Sequence, residues 1–231
     1  MTTQAGRRLP ALSGIGFAVL FAIGSLTSSA NTPHYGAVDQ AWTNWAHDNQ
    51  YKSRLSAFTM VLAAFIFLYF IAGLRSVLEH AESQGRGSAH LARVAFSGAL
   101  TGVVGMTMAF VTIANASTEG ANANPVVSRA VLTASAGPFL VAAMGFAAFL
   151  IATGVLTLRS GVFARWTGIV ALIGAVSFLT TSLTIINNKG NGSVFGYAFF
   201  PAVISLVTWT IATSVARYRA SDEPVHAAAL A

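Results

Sequence analysis

Six apolar stretches, separated by short polar ones, set the pattern of this chain. They cover residues 11–30, 55–74, 91–114, 131–158, 166–186 and 194–216. A helix needs about 20 apolar residues to cross a hydrocarbon core about 30 Å thick. Lipid offers no partner to backbone N–H and C=O groups, so such spans must satisfy them internally, as helices do. A β-barrel would instead show alternating strands of about ten residues, and no part of this sequence alternates that way. The pattern therefore predicts an all-α, polytopic bundle of six transmembrane helices. Residues 1–220 form its single domain and 221–231 a polar tail.

Part of the pattern occurs twice. Residues 60–76 (MVLAAFIFLYFIAGLRS) and 144–160 (MGFAAFLIATGVLTLRS) match at seven of seventeen positions, including the closing Leu-Arg-Ser. Residues 92–115 and 164–187 match at nine of twenty-four, among them Arg93/Arg165, Gly102/Gly174 and Asn115/Asn187. Spans two and three would then repeat as spans four and five, two hairpins of the same orientation.

Charge adds the orientation. Lys and Arg concentrate in the loops on the cytoplasmic side of a membrane. With the N-terminus inside, nine lie on the inner side (Arg7, Arg8, Arg75, Arg86, Arg93, Arg159, Arg165, Arg217, Arg219) and four outside (Lys52, Arg54, Arg129, Lys189). Both termini are thus expected in the cytoplasm. The first stretch has a basic start and small residues at Ser28-Ser29-Ala30, as a signal peptide would, but an even number of spans favours a retained helix. Only 9% of residues are charged, against about 25% in a soluble domain. The net charge of +6 is accounted for by the loops, so nucleic acid is not an expected partner; the lipid bilayer is. There is no cysteine, which removes disulfide, iron–sulfur and thiolate chemistry.

The repeated arginines, Arg75, Arg93, Arg159 and Arg165, fall at the inner ends of spans and are expected to anchor in lipid headgroups. Asn31, Asn115 and Asn187 fall at outer ends as helix stops. The longest outer loop, residues 31–54, holds Tyr35, Trp42, Trp45 and Tyr51. An amphipathic helix resting on the outer interface fits it, with Trp42 and Trp45 as anchors. The segment 117–129, with Asn122, Asn124 and Pro125, reads as a connector.

Chemistry is scarce at membrane depth. No Asp, Glu, Lys, Arg or His falls mid-span, where such residues usually mark ion paths or proton relays. The histidines (His34, His47, His80, His90, His226) all lie in loops or the tail. His34, Asp39, His47 and Asp48 match no metal-ligand spacing, and His80, Glu82 and His90 have still less claim. No catalytic, metal or cofactor residue is therefore expected, and the chain reads as non-enzymatic. Gly98, Gly102 and Gly105 on span three, with Gly168 and Gly174 on span five, form small-residue faces that let helices approach. Hydroxyls are plentiful, and Thr101, Thr112, Ser177, Thr181, Thr184 and Thr208 are the candidates to line an outward cavity. Pro138 and Pro201 would bend spans four and six around it. Back-bonding to the preceding helical turn is the other role open to those hydroxyls.

Several runs resemble a diffuse group of six-span actinobacterial membrane proteins of unknown function. They are Val38–Ser56 (VDQAWTNWAHDNQYKSRLS), Phe70–Leu78 (FIAGLRSVL), Ala92–Ala95 and Ser160–Val170 (SGVFARWTGIV). The resemblance implies a six-helix bundle in a bacterial plasma membrane and supplies no activity. Two functions follow as expectations. The first is a partner or accessory subunit of a membrane or envelope assembly, binding other membrane subunits or itself. The alternative is a small transporter or channel for a neutral or lipidic solute, running between spans three, five and six.

Overall fold

The computed structural model describes residues 4–27, 33, 36–84, 90–118, 124–185 and 194–220. Ser28–Ala30, Asn31, His34, Tyr35, Gly85–Gly87, Asn122, Asn187, Lys189, His226 and the tail from Ser221 lie outside them. The described residues form helices and no strand. In chain order they are α1 (Gln4–Thr27), α2 (Asp39–Asp48), α3 (Gln50–Gln84) and α4 (His90–Ala116), then α5 (Pro125–Ala134) and α6 (Ala136–Ser160). The last three are α7 (Arg165–Ser182), continued by a 3₁₀ turn at Leu183–Ile185, the short α8 (Val194–Tyr197) and α9 (Phe199–Ala220).

Among the described residues five helical segments are long and apolar enough to cross a membrane: Arg8–Thr27, Gln50–Gln84, His90–Ala116, Pro125–Ser160 and Phe199–Ala220. The segment expected as the fifth span is α7, which is not among them; it has 18 residues and gives way to the 3₁₀ turn after Ser182. At 35 residues, α3 is about 52 Å long at ~1.5 Å per residue, so its polar last turns extend past any bilayer core.

Two prolines divide what the hydropathy pattern reads as continuous. Proline has no N–H to give the carbonyl four residues back. For Pro138 that carbonyl belongs to Ala134, the last residue of α5; for Pro201 it belongs to Tyr197, the last residue of α8. Each helix restarts with the proline in its first turn, where no N–H is needed. Of the connector expected over residues 117–129, Pro125–Arg129 is instead the start of α5. Asn124 caps it, its side-chain oxygen accepting from the Val126 N–H at 3.0 Å, and Pro125 is its first helical residue.

The long helices close into a ring in the order α1, α3, α4, α6, α7, α9, with α9 returning to α1. The closest approach is α4 against α6. A Cβ on Gly98 would stand 2.7 Å from the Phe149 backbone nitrogen, and one on Gly105 2.6 Å from that of Ala142. A Cβ on Gly145 would strike the Gly102 backbone. The expected small-residue face thus packs backbone on backbone. Gly168 meets Leu158 and the Gly154 carbonyl of α6, while Gly174 meets Ser205 of α9 and Leu150 of α6. Between α3 and α1, the Ser56 hydroxyl donates to the Gly24 carbonyl at 2.6 Å.

Aromatic side chains fill the middle of the ring. Phe17 of α1 lies 4.1 Å from Phe67 of α3, centroid to centroid, and Phe67 lies 6.1 Å edge-on to Phe149 of α6. Phe149 meets Trp209 of α9 at 5.1 Å, and Phe146 of α6 meets Phe178 of α7 at 5.4 Å. All six are buried. The large apolar residues left exposed, among them Phe58, Phe65, Val176 and Ile204, point outward.

The matched sequence segments do not present matched faces. Met60 and Leu74 are 2% exposed, whereas their counterparts Met144 and Leu158 are 48% and 37% exposed. The two helices have different neighbours, since α6 touches both α4 and α7 along its length while α3 lies between α1 and α4.

Gly145→Ala puts a methyl group into the α4 backbone, so unfolding of the detergent-solubilised protein should show a loss of about 1–3 kcal/mol. Gly137→Ala, whose Cβ would meet nothing within 4 Å, should leave stability unchanged or raised by up to about 1 kcal/mol.

Candidate functional site

The polar chemistry of the described residues collects at the two ends of the ring. At the end away from the chain termini, α2 and α5 form a cap. Asp39 of α2 and Arg129 of α5 pair at 2.8 Å. Beneath them Trp42, Ala46, Ala116 and Leu132 make a second core, with Trp45 and Val131 packed on it. The Ser117 carbonyl, just past α4, accepts from Gln50 Nε2 at 2.7 Å and Arg54 Nη2 at 3.2 Å. A cation there also complements the negative end of the α4 dipole.

Trp42 and Trp45, expected as interfacial anchors, pack on protein. Trp42 is 4% exposed and Trp45 half-buried, because α2 has a protein partner in α5 for the apolar face that lipid was expected to cover. The exposed face of α2 is polar: Thr43, Asn44, His47 and Asp48 line an open depression. His47 and Asp48 stand 3.6 Å apart, each side chain 76% exposed. Among the described residues no three His, Asp or Glu side chains converge as a metal site would require.

Asn115 lies at the end of α4 as expected, one residue before its last, Ala116; its carbonyl accepts from the Thr118 N–H and hydroxyl.

The candidate cavity residues are not brought together. Thr101 and Thr208 are exposed on the outside of the ring, while Thr181 is buried. Thr112 donates to the Met108 carbonyl, Ser177 to Ile173 and Thr181 to Ser177, each at 2.8–2.9 Å within its own helix. Thr180, Ser182, Thr210 and Thr213 likewise bond the preceding turn. Thr184, half-buried, lies in the 3₁₀ turn. These bonds leave the hydroxyl protons already engaged.

At the other end α1 and α9 meet: the Arg8 guanidinium lies 5.3 Å over the Tyr218 ring. Arg93, Arg159 and Arg165 are exposed, as headgroup anchors would be. Arg75 pairs with Glu79 at 2.7 Å and covers the Phe96 ring at 5.1 Å. Glu82 closes the N-terminus of α4, its two carboxylate oxygens accepting from the Leu91 and Ala92 N–H groups at 3.1 and 3.0 Å. The turn from α6 to α7 depends on Gly161, at φ 66°, whose N–H reaches the Thr157 carbonyl at 3.0 Å. It drops Phe163 under Trp209.

Arg217 behaves differently. It continues the core-facing row Leu206, Trp209, Thr213 of α9, all three fully buried. Its guanidinium enters between α1 and α3, where a Cβ on Gly73 would stand 2.8 Å from Nη2 and 2.5 Å from Pro10. Nη1 is buried and has no hydrogen-bond partner. Ser214, one turn back and fully buried, has an unpartnered hydroxyl set against Gly14. The sequence reading counted Arg217 only as a loop charge; its four-residue spacing from Thr213 and Trp209 was the available signal.

The described residues form an all-helical bundle of a kind compatible with a multi-pass membrane protein, with five helices long and apolar enough to cross. Comparison with protein-family models, curated protein sequences and solved structures finds no match.

In single-tryptophan variants, headgroup-attached quenchers should quench Trp166, which is 51% exposed, and spare Trp42. Trp42→Ala should cost about 3 kcal/mol or more through the cavity it leaves, read as earlier proteolysis of the cap. Asp39→Asn should cost no more than about 1 kcal/mol, because that pair is partly solvated.

Proposed function

We propose that this protein is a non-enzymatic binding subunit of a bacterial plasma-membrane assembly. In this reading α7 completes a six-span bundle with both termini in the cytoplasm, following the nine-to-four distribution of basic residues. The repeated hairpins belong to the same reading and rest on the sequence matches alone.

The carrying observation is the filled centre of the ring. Phe17, Phe67, Phe70, Phe146, Phe149 and Trp209 are each less than 2% exposed, and the hydroxyls of Thr153, Thr181, Ser182, Thr210 and Thr213 are bonded within their own helices. Conduction needs a polar path or a hydrophobic constriction wide enough to wet. Interlocked rings in contact offer neither without a large rearrangement. The face that remains for interaction is the cap, held by the Asp39–Arg129 pair and the Trp42 core, with Thr43, Asn44, His47 and Asp48 turned outward. A rigid platform carrying an exposed polar strip suits recognition of another envelope subunit or a second copy of the chain.

Photo-crosslinkers placed at Asn44 and His47 in native membranes should each trap one discrete partner band, and the same residue at Ile204 on the outer face of α9 should not. A chain that stays monomeric at both cap positions, or that carries small neutral solutes into liposomes at a rate above empty controls, would overturn this reading.

A further inference from the structure

A guanidinium is the costliest group to bury without an acceptor: it carries five N–H donors and always a positive charge. In membrane bundles, ionisable side chains turned toward the interior mark functional sites. Arg217 is such a group. Whereas Arg75, Arg93, Arg159, Arg165 and Arg219 are exposed, its head enters the slot between Pro10 and Gly73. A side chain on Gly73 would close that slot, so this glycine is needed for close approach rather than for backbone freedom.

The acids described at this end are already engaged. Glu79 binds Arg75, and Glu82 closes the N-terminus of α4. A second polar group faces the same seam without a partner, since Ser214 lies on the Arg217 face of α9, fully buried, with its hydroxyl unbonded. Arg8, over the Tyr218 ring, adds a second positive charge beside the slot.

Depth selects the ligand. With 22 residues, α9 is about 33 Å long at ~1.5 Å per residue, close to the thickness of a bilayer core of about 30 Å. Arg217 stands three residues from its end, at the level of lipid headgroups. There the abundant acceptor is phosphate, which a guanidinium fork binds through two parallel hydrogen bonds.

We propose that the slot between α1, α3 and α9, where the Arg217 head lies against Pro10 and Gly73, is a binding site for a phosphate group, supplied by an anionic phospholipid of the adjacent leaflet, with Arg217 as its principal ligand. The phosphate takes the acceptor role that Nη1 lacks, and the acyl chains of the lipid lie along the outer apolar surface of α1, where Leu9 and Leu12 are exposed. Binding there would clamp both chain ends to one lipid.

The test is native mass spectrometry of the full chain, extracted in mild detergent and exchanged into mixed phosphatidylglycerol and phosphatidylcholine. The wild type should retain phosphatidylglycerol preferentially. Arg217→Gln should lower that retention by about tenfold or more, as expected for loss of a charge-assisted pair. Arg217→Lys, which keeps the charge and loses the fork, should fall between, and Arg219→Gln, on an exposed neighbour, should match the wild type. Should Arg217→Gln not fold, Arg217→Met, which removes the charge and keeps an unbranched side chain, serves in its place. Equal retention by the wild type and the Arg217 variants overturns the proposal. Displacement of the lipid by millimolar inorganic phosphate assigns the site to free anions and overturns the lipid source. Retention that appears only in the Asp222→Asn, Glu223→Gln double variant assigns the slot to the chain's own tail and overturns the lipid site.

Discussion

The backbone contact between α4 and α6 sets the dimensions of everything around it. Water drives apolar surfaces together in a soluble protein, but hydrocarbon tails are as apolar as leucine and provide no such drive between helices. Association in lipid then rests on van der Waals contact, which falls away within an ångström. Gly98, Gly102 and Gly105 against Ala142 and Gly145 bring two helices to backbone contact. A pair so close leaves the ring it belongs to with a narrow centre. Eight large side chains from α1, α3, α6, α7 and α9 suffice to fill it: Phe17, Phe21, Phe67, Phe70, Phe146, Phe149, Phe178 and Trp209.

The ends of the ring follow from the same economy. Helix termini leave unpaired N–H and C=O groups that must be met at the membrane boundary. Glu82 meets those of α4 at one end, while Gln50 and Arg54 meet the Ser117 carbonyl just past its other end. The cap of α2 and α5 grows out of that second closure. Its tryptophans stay inside because α5 offers them a packed protein surface, and the polar face of α2 is what remains for the outside. Arg217 has Nη1 buried without a partner, whereas Arg75, Arg93, Arg159, Arg165 and Arg219 are exposed.

Much of this was legible from local pattern. Apolar length located five of the six expected spans, Pro138 and Pro201 interrupted the helices they were expected to bend, and the glycines of α4 marked the tightest interface. The exposed Arg93, Arg159 and Arg165 sit where a boundary charge belongs. The errors share one origin. Trp42 and Trp45 were assigned to lipid, and Thr101, Thr181 and Thr208 to one cavity, because an aromatic or a hydroxyl reads the same whether it meets lipid, water or another helix. Likewise the identities shared by residues 60–76 and 144–160 survive beside opposite burial at Met60 and Met144, since apolar residues suit either face.

The sequence alone determined helix, length, breaks and charge distribution, all of which depend on neighbours a few residues away. The tertiary structure decided which face of each helix turns inward. In a soluble helix the polar stripe announces that choice; in a membrane helix both faces are apolar, and packing against particular neighbours settles it. Arg217 is the clearest case: its place at a helix end was evident from the sequence, but only the approach of α1 and α3 at Pro10 and Gly73 turned it inward.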